Sequence, residues 1–133
     1  MENKHGRIVI PASSHPWSHE LATARALANF GKTVEFLPET EGTRVTSPDI
    51  LMDGLVWEMK APESSSVKSL QKTIRRAGRQ SPNVIVDSSR MKGVPDQAVE
   101  RELRRLLPLV KSISRLILVT KQGEVVDIGR NRH

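Results

Sequence analysis

Apolar and polar positions recur along this chain with two different periods, and the switches between them predict its elements. A short apolar run, Ile8-Val9-Ile10, stands in polar surroundings over residues 1 to 13 and reads as a leading strand or the end of a linker. Ser14 and Pro16 form a helix-start signal and Gly31 a stop. Between them Trp17, Leu21, Ala24 and Ala28 fall on one helical face. Thr33 to Leu37 alternates as a strand with Val34 and Phe36 on one side, and residues 38 to 47, rich in Thr and Ser with Pro and Gly, read as a loop. Asp53-Gly54 then separates two apolar runs and predicts a two-residue hairpin, because both residue types tolerate positive φ.

Beyond the hairpin, a Ser-rich start leads into a helix over about residues 65 to 78. Asn83 to Asp87 reads as a short buried strand, and Pro95 opens a third helix that Pro108 ends or kinks near Leu107. Arg115 to Thr120 and Glu124 to Ile128 form two strands joined by Lys-Gln-Gly. The order is helix, strand, hairpin, helix, strand, helix, hairpin, which predicts an α/β fold with a mixed sheet flanked by helices. Residues 1–15 are expected to be an N-terminal segment or linker end, and residues 16–133 a single domain.

The hairpin also makes a chemical prediction. With Asp53 and Gly54 as the turn, Met52 faces Leu55, Leu51 faces Val56, Ile50 faces Trp57, and Asp49 faces Glu58. Directly opposed residues project to one face with Cβ atoms about 5 Å apart. Lys60, two residues beyond Glu58, shares that face. Two carboxylates at that separation repel unless a cation compensates, and Mg²⁺ takes oxygen ligands of this kind. The plainer alternative is an exposed salt-bridge ladder with Lys60 neutralising Glu58. Glu20 is a fourth candidate acid, at the edge of the first helix's apolar face, although a first-turn Glu is also favoured by the helix dipole without any function.

Charge supports an anionic partner. The 133 residues carry 21 Lys and Arg against 15 Asp and Glu, a net charge of +6. A basic surface favours polyanions, because each neutralised phosphate releases condensed counterions. Lys68, Lys72, Arg75, Arg76 and Arg79 fall within about 100° of one another on the second helix, opposite Val67, Leu70, Ile74 and Ala77. Gln80 at the helix end and Ser88, Ser89, Arg90 and Lys92 after the next strand add donors for phosphate oxygens. Aromatic residues are only 3%, which argues against recognition by successive base-stacking platforms. Cysteine is absent, so thiolate metal sites are excluded, and His5, His15, His19 and His133 show no tight ligand spacing. No apolar run approaches the roughly 20 residues that span a bilayer.

Pro48-Asp49, then Glu58-Met59-Lys60, after a helix bearing Glu20, resembles the PD-(D/E)XK nuclease superfamily with its α-β-β-β-α-β core. More narrowly, Phe-Leu-Pro-Glu at 36 to 39, Ser-Pro-Asp-Ile-Leu-Met-Asp-Gly at 47 to 54, Trp-Glu-Met-Lys-Ala-Pro at 57 to 62 and Ile-Arg-Arg-Ala at 74 to 77 resemble the C-terminal tRNase toxin domains of CdiA-type contact-dependent growth inhibition proteins. So do Gln-Ser-Pro-Asn-Val-Ile-Val-Asp-Ser-Ser-Arg at 80 to 90 and Thr-Lys-Gln-Gly-Glu-Val-Val-Asp-Ile at 120 to 128. The resemblance implies metal-dependent tRNA cleavage in the cytoplasm of a neighbouring bacterium, opposed by a cognate immunity protein, with the toxin carried by an exported or cell-surface protein. It implies that Asp49, Glu58, Glu20 and the Met59 backbone carbonyl bind Mg²⁺ or Mn²⁺, with Zn²⁺ left open, and that Lys60 handles the nucleophile. Gln80 would match a polar residue on the helix after the hairpin. The alternatives are a DNase or structure-specific nuclease of the same fold, and a non-catalytic nucleic-acid-binding module.

Overall fold

The computed structural model describes residues 6–38 and 49–131. The loop expected at 38 to 47 and Pro48 therefore fall, but for residue 38, outside the described residues. The described elements are β1 (Arg7–Val9), α1 (Ser18–Asn29), β2 (Thr33–Phe36), β3 (Asp49–Met52), β4 (Leu55–Lys60), α2 (Ser69–Gln80), β5 (Asn83–Asp87), α3 (Asp96–Leu106), β6 (Arg115–Val119) and β7 (Val125–Arg130). A single 3-10 turn, Leu107–Leu109, follows α3 at Pro108. The predicted order of elements is the order found, and the leading apolar run is a strand.

Seven strands form one mixed sheet in which each pairs with its neighbours in sequence, β1 to β7. β1–β2, β4–β5 and β5–β6 are parallel, each pair joined by one of the three helices, and the other pairs are antiparallel. Apolar side chains fill both faces. Leu70, Ile74 and Ala77 of α2 and Val99, Leu103 and Leu106 of α3 pack on Val84, Val86, Leu116 and Leu118. On the other face Ala24 and Leu27 of α1 pack on Phe36, Ile50, Trp57, Met59, Ile85 and Ile117. All five residues of β5 are buried, as a central strand covered on both sides requires.

The β3–β4 hairpin has the register read from its turn, with Asp49 opposite Glu58, Ile50 opposite Trp57 and Met52 opposite Leu55. Asp53 (φ 55°) and Gly54 (φ 75°) both adopt left-handed backbone, as a type I′ turn demands. Lys32 Nζ, 2.7 Å from Asp53 Oδ2, ties the turn to the entry of β2. Trp57 Nε1 donates to the Met52 carbonyl at 2.9 Å, and Arg115 lies 5.5 Å over the Trp57 ring.

Two helix starts differ from expectation. Trp17 does not join the apolar face of α1: it is the N-cap, with extended backbone, and its side chain is 71% exposed. Helical phase does not extend to a residue outside the helix. α2 starts at Ser69 rather than near 65, because the preceding serines make their own turn, with Ser64 Oγ accepting from the Ser66 N–H at 3.1 Å and the Ser66 Oγ accepting from Lys68 N–H at 3.2 Å. Such local bonds compete with helix.

At the C-terminal end of β5, Asp96 joins three segments. The Ser88 hydroxyl donates to Asp96 Oδ1 at 2.6 Å, and the Lys121 backbone N–H and ammonium, 3.3 to 3.4 Å away, approach the same carboxylate. Partial burial pushes the Asp96 carboxyl up, but the Ser88 hydroxyl and the two Lys121 donors outweigh it and hold it below its ordinary value. Asp96→Asn should therefore lose about 1–2 kcal/mol at neutral pH, measured by urea unfolding. Because the carboxyl titrates lower folded than unfolded, the loss persists down to about pH 4 and shrinks as pH falls through the folded-state value. A deficit unchanged from neutral pH to about pH 2 would contradict this account of Asp96.

Candidate functional site

The C-terminal ends of the parallel strands β4 and β5 open into a cleft of about 230 Å³. Ligands of open α/β sheets characteristically bind at this end of the strands. One wall is α1, which contributes His19, Glu20 and Thr23; the other is α2, with Thr73 and Arg76. Met59 and Lys60 form the floor, and Arg90, after β5, closes one side.

Glu58 and Lys60 pair with Val84 and Val86 across β4–β5, so they share the face covered by α2. Glu58 is only 3% exposed, and its Oε2 lies 3.2 Å from Lys60 Nζ. The pair is thus an interior one, unlike the exposed ladder that was the plainer expectation. Taking both charges out of water is expensive, so an interior pair at a strand end is weak evidence for a stability role. Asp49 stands opposite Glu58 in register, while its side chain lies outside the described residues.

Glu20 is 8% exposed on α1, against the other face of the sheet. Its Oε1 accepts the Trp17 N–H at 2.6 Å, so it closes the helix start as well as lining the cleft. α1 is pinned to the strand end by Thr23, whose Oγ1 donates to Asp87 Oδ2 at 2.5 Å. Asp87 Oδ1 accepts the Ser89 N–H at 2.8 Å, which sets the course of the chain towards Arg90. Arg90 Nη1 is 3.2 Å from His19 Nε2, a contact that requires the imidazole nitrogen to accept, since guanidinium nitrogens only donate.

The basic stripe on α2 divides. Arg76 faces the cleft, whereas Lys68, Lys72, Arg75 and Arg79 line a shallow groove on the outer side of the helix with Gln71. Gln80 is exposed at the last position of α2, one turn past Arg76, and does not line the cleft. Lys92 is exposed beyond Arg90 and borders a second depression. His19, Thr23, Thr73 and Asp87 were not singled out as site residues from sequence. Residues 20, 23 and 27 share one helical face, and a carboxylate ending an apolar strand was the available sign for Asp87.

Among the described residues, no three His, Asp or Glu side chains are arranged to hold a metal ion. The described groups at the strand end are nevertheless of one chemical kind: the interior Glu58 carboxylate and the Met59 carbonyl between Glu58 and Lys60. Hard oxygen donors of this sort suit Mg²⁺ or Mn²⁺.

Fold and cleft define a small mixed α/β domain built to present acidic and basic groups together at its strand ends. The family of contact-dependent growth inhibition CdiA C-terminal domains matches residues 46–125, more than half of the chain. The chain belongs to that family. It is similar to a chain of the solved CdiA-CT/CdiI toxin and immunity complex from Burkholderia pseudomallei, at 24% identity and a TM-score of 0.68, over 93% of this chain and 99% of that one. No curated protein matches the chain. No described helix is long and apolar enough to cross a membrane.

The Thr23–Asp87 bond is testable by itself. Thr23→Val should destabilise the fold by about 1–3 kcal/mol in urea unfolding, because a buried carboxylate loses a donor. Thr23→Ser, which keeps the hydroxyl, should recover most of that loss; equal losses in the two variants would remove the bond's role.

Proposed function

We propose that the domain is a metal-dependent endonuclease of the PD-(D/E)XK kind that cleaves tRNA. The observation that carries this reading is the Glu58–Lys60 pair, set by register opposite Asp49, with Lys60 on the floor of a cleft that Arg76 and Arg90 border. The element order α1-β2-β3-β4-α2-β5 supports it, being the order of that superfamily's core.

In this reading Asp49, Glu58 and the Met59 carbonyl would hold a divalent ion, with Glu20 at the α1 wall as a further acid. The ion, when bound, supplies Lewis-acid stabilisation of the charge that develops on the scissile phosphate. The remaining work falls to side chains. The Lys60 ammonium, held by Glu58 Oε2, orients the attacking water through its N–H donors and offsets negative charge on the phosphate oxygens. Arg76 and Arg90, on two sides of the cleft, donate to phosphate oxygens on either side of the cut and fix the backbone against the floor. The exposed cations of α2 carry the flanking backbone, a contribution that positions without reading sequence.

Purified protein should cleave whole-cell tRNA on a gel when Mg²⁺ or Mn²⁺ is present and lose that activity in chelator. Asp49→Ala and Glu58→Gln should each reduce cleavage by at least about a hundredfold, with far-ultraviolet circular dichroism unchanged. Full activity in chelator or in Asp49→Ala sinks the mechanism, and metal-dependent cutting of plasmid with tRNA left intact moves the substrate to DNA.

A cognate immunity protein would oppose this activity, as the toxin and immunity complex of the structural relative suggests. The net charge of +6 calls for an acidic inhibitor surface over the cleft. Charge-reversing Arg76→Glu should then slow association with the purified inhibitor by at least tenfold at low salt, read by biolayer interferometry. An unchanged association rate would place the inhibitor elsewhere.

A further inference from the structure

Arg90 borders not one depression but two. Beyond the cleft, on the far side of the Arg90 guanidinium, lies a second and larger groove of about 480 Å³, lined by Glu63, Ser64, Ser65, Ser89, Arg90 and Lys92. It is formed by the loops that leave the C-terminal ends of β4 and β5 and run side by side. Its lining is hydroxyls and cations with a single acid, Glu63. That acid is ion-paired with Arg90 Nη2, while His19 contacts Arg90 Nη1.

From this arrangement we infer that Arg90 anchors a phosphate-binding subsite that continues the cleft towards Ser89 and Lys92, and that the Glu63 carboxylate occupies the phosphate's place in the free domain. The inference rests on the nucleic-acid reading of the cleft and extends it along the backbone of the substrate. Three features support it. A carboxylate and a phosphate use the same fork of guanidinium donors, so one can stand in for the other. The Glu63 side chain is 69% exposed, and an ion pair so open to water holds weakly and is readily exchanged for a stronger anion. Arg90 itself is only 33% exposed and is steadied from behind by His19, so its guanidinium stays in place when its partner changes.

Glu63 is then a selectivity element. A lone small anion must compete with it for one contact, whereas a polyanion displaces it while also engaging Lys60, Arg76 and Lys92.

The test uses the whole chain and fluorescein-labelled single-stranded RNA in chelator, with affinity read by anisotropy across a salt series. Arg90→Ala should weaken binding about tenfold and reduce the salt slope by about 0.7, the share of one lost phosphate contact on a single strand. Arg90→Lys keeps the charge and should retain the slope while losing part of the affinity. Glu63→Gln should tighten binding about three- to fivefold, and that gain should vanish when combined with Arg90→Ala. A gain that survives without Arg90 would mean that Glu63 acts only through general charge, and would overturn the subsite. Unchanged RNA affinity in Glu63→Gln would overturn it too, including where only an acidic protein partner binds tighter. Since chelator is present throughout, the outcome is independent of turnover. Binding that follows this pattern in a protein that cuts no nucleic acid supports the subsite and defeats the nuclease reading.

Discussion

Left-handed backbone at two successive residues, Asp53 and Gly54, governs what the rest of the molecule can present. The turn makes Asp49 the partner of Glu58, and the pleat then sends Trp57 and Met59 towards α1 and Glu58 and Lys60 towards α2. A slip of one residue would exchange these faces, burying Lys60 among the apolar side chains below α1 and lifting Trp57 out of them. The fully buried Trp57 ring opposes such a slip, with its Nε1 donating to Met52 at the base of the same turn. Register, core and the pairing of charges at the strand end are therefore one specification.

The same strand ends are where the helices are fastened. Thr23 fixes α1 to Asp87, and Ser88, the next residue, fixes the start of α3 through Asp96, which also receives the β6–β7 turn through Lys121. Two adjacent residues at the end of β5 thus hold elements on opposite faces of the sheet. The cleft wall formed by α1 is braced where Glu20 and His19 stand, and precision at a site depends on such support around it.

The register and the Asp49–Glu58 opposition were legible in the sequence because a two-residue turn with Asp-Gly leaves little freedom, and period-two alternation carries that choice along both strands. The division of the α2 stripe was less legible: Arg76 lies only about 40–100° from its neighbours on a helical projection, and which edge meets a cleft depends on what packs beside it. Trp17 falls on the apolar face of α1 only if the helix already includes it, and the helix starts at Ser18. A Ser or Pro before an apolar run marks a boundary only to within a few residues, and here Glu20 sets it by accepting the Trp17 N–H. Asp87 and Thr23 are 64 positions apart, and only tertiary structure brings a hydroxyl on α1 to a carboxylate on β5.

The succession β1 to β7, in which each strand pairs with those before and after it, has a kinetic consequence. Every pairing among the described strands is closed either by a hairpin or by a single connecting segment, so no step must await the distant end of the chain. The absence of cysteine from the 133 residues leaves no oxidation step to wait for. The chain can therefore regain its structure after unfolding without any oxidant.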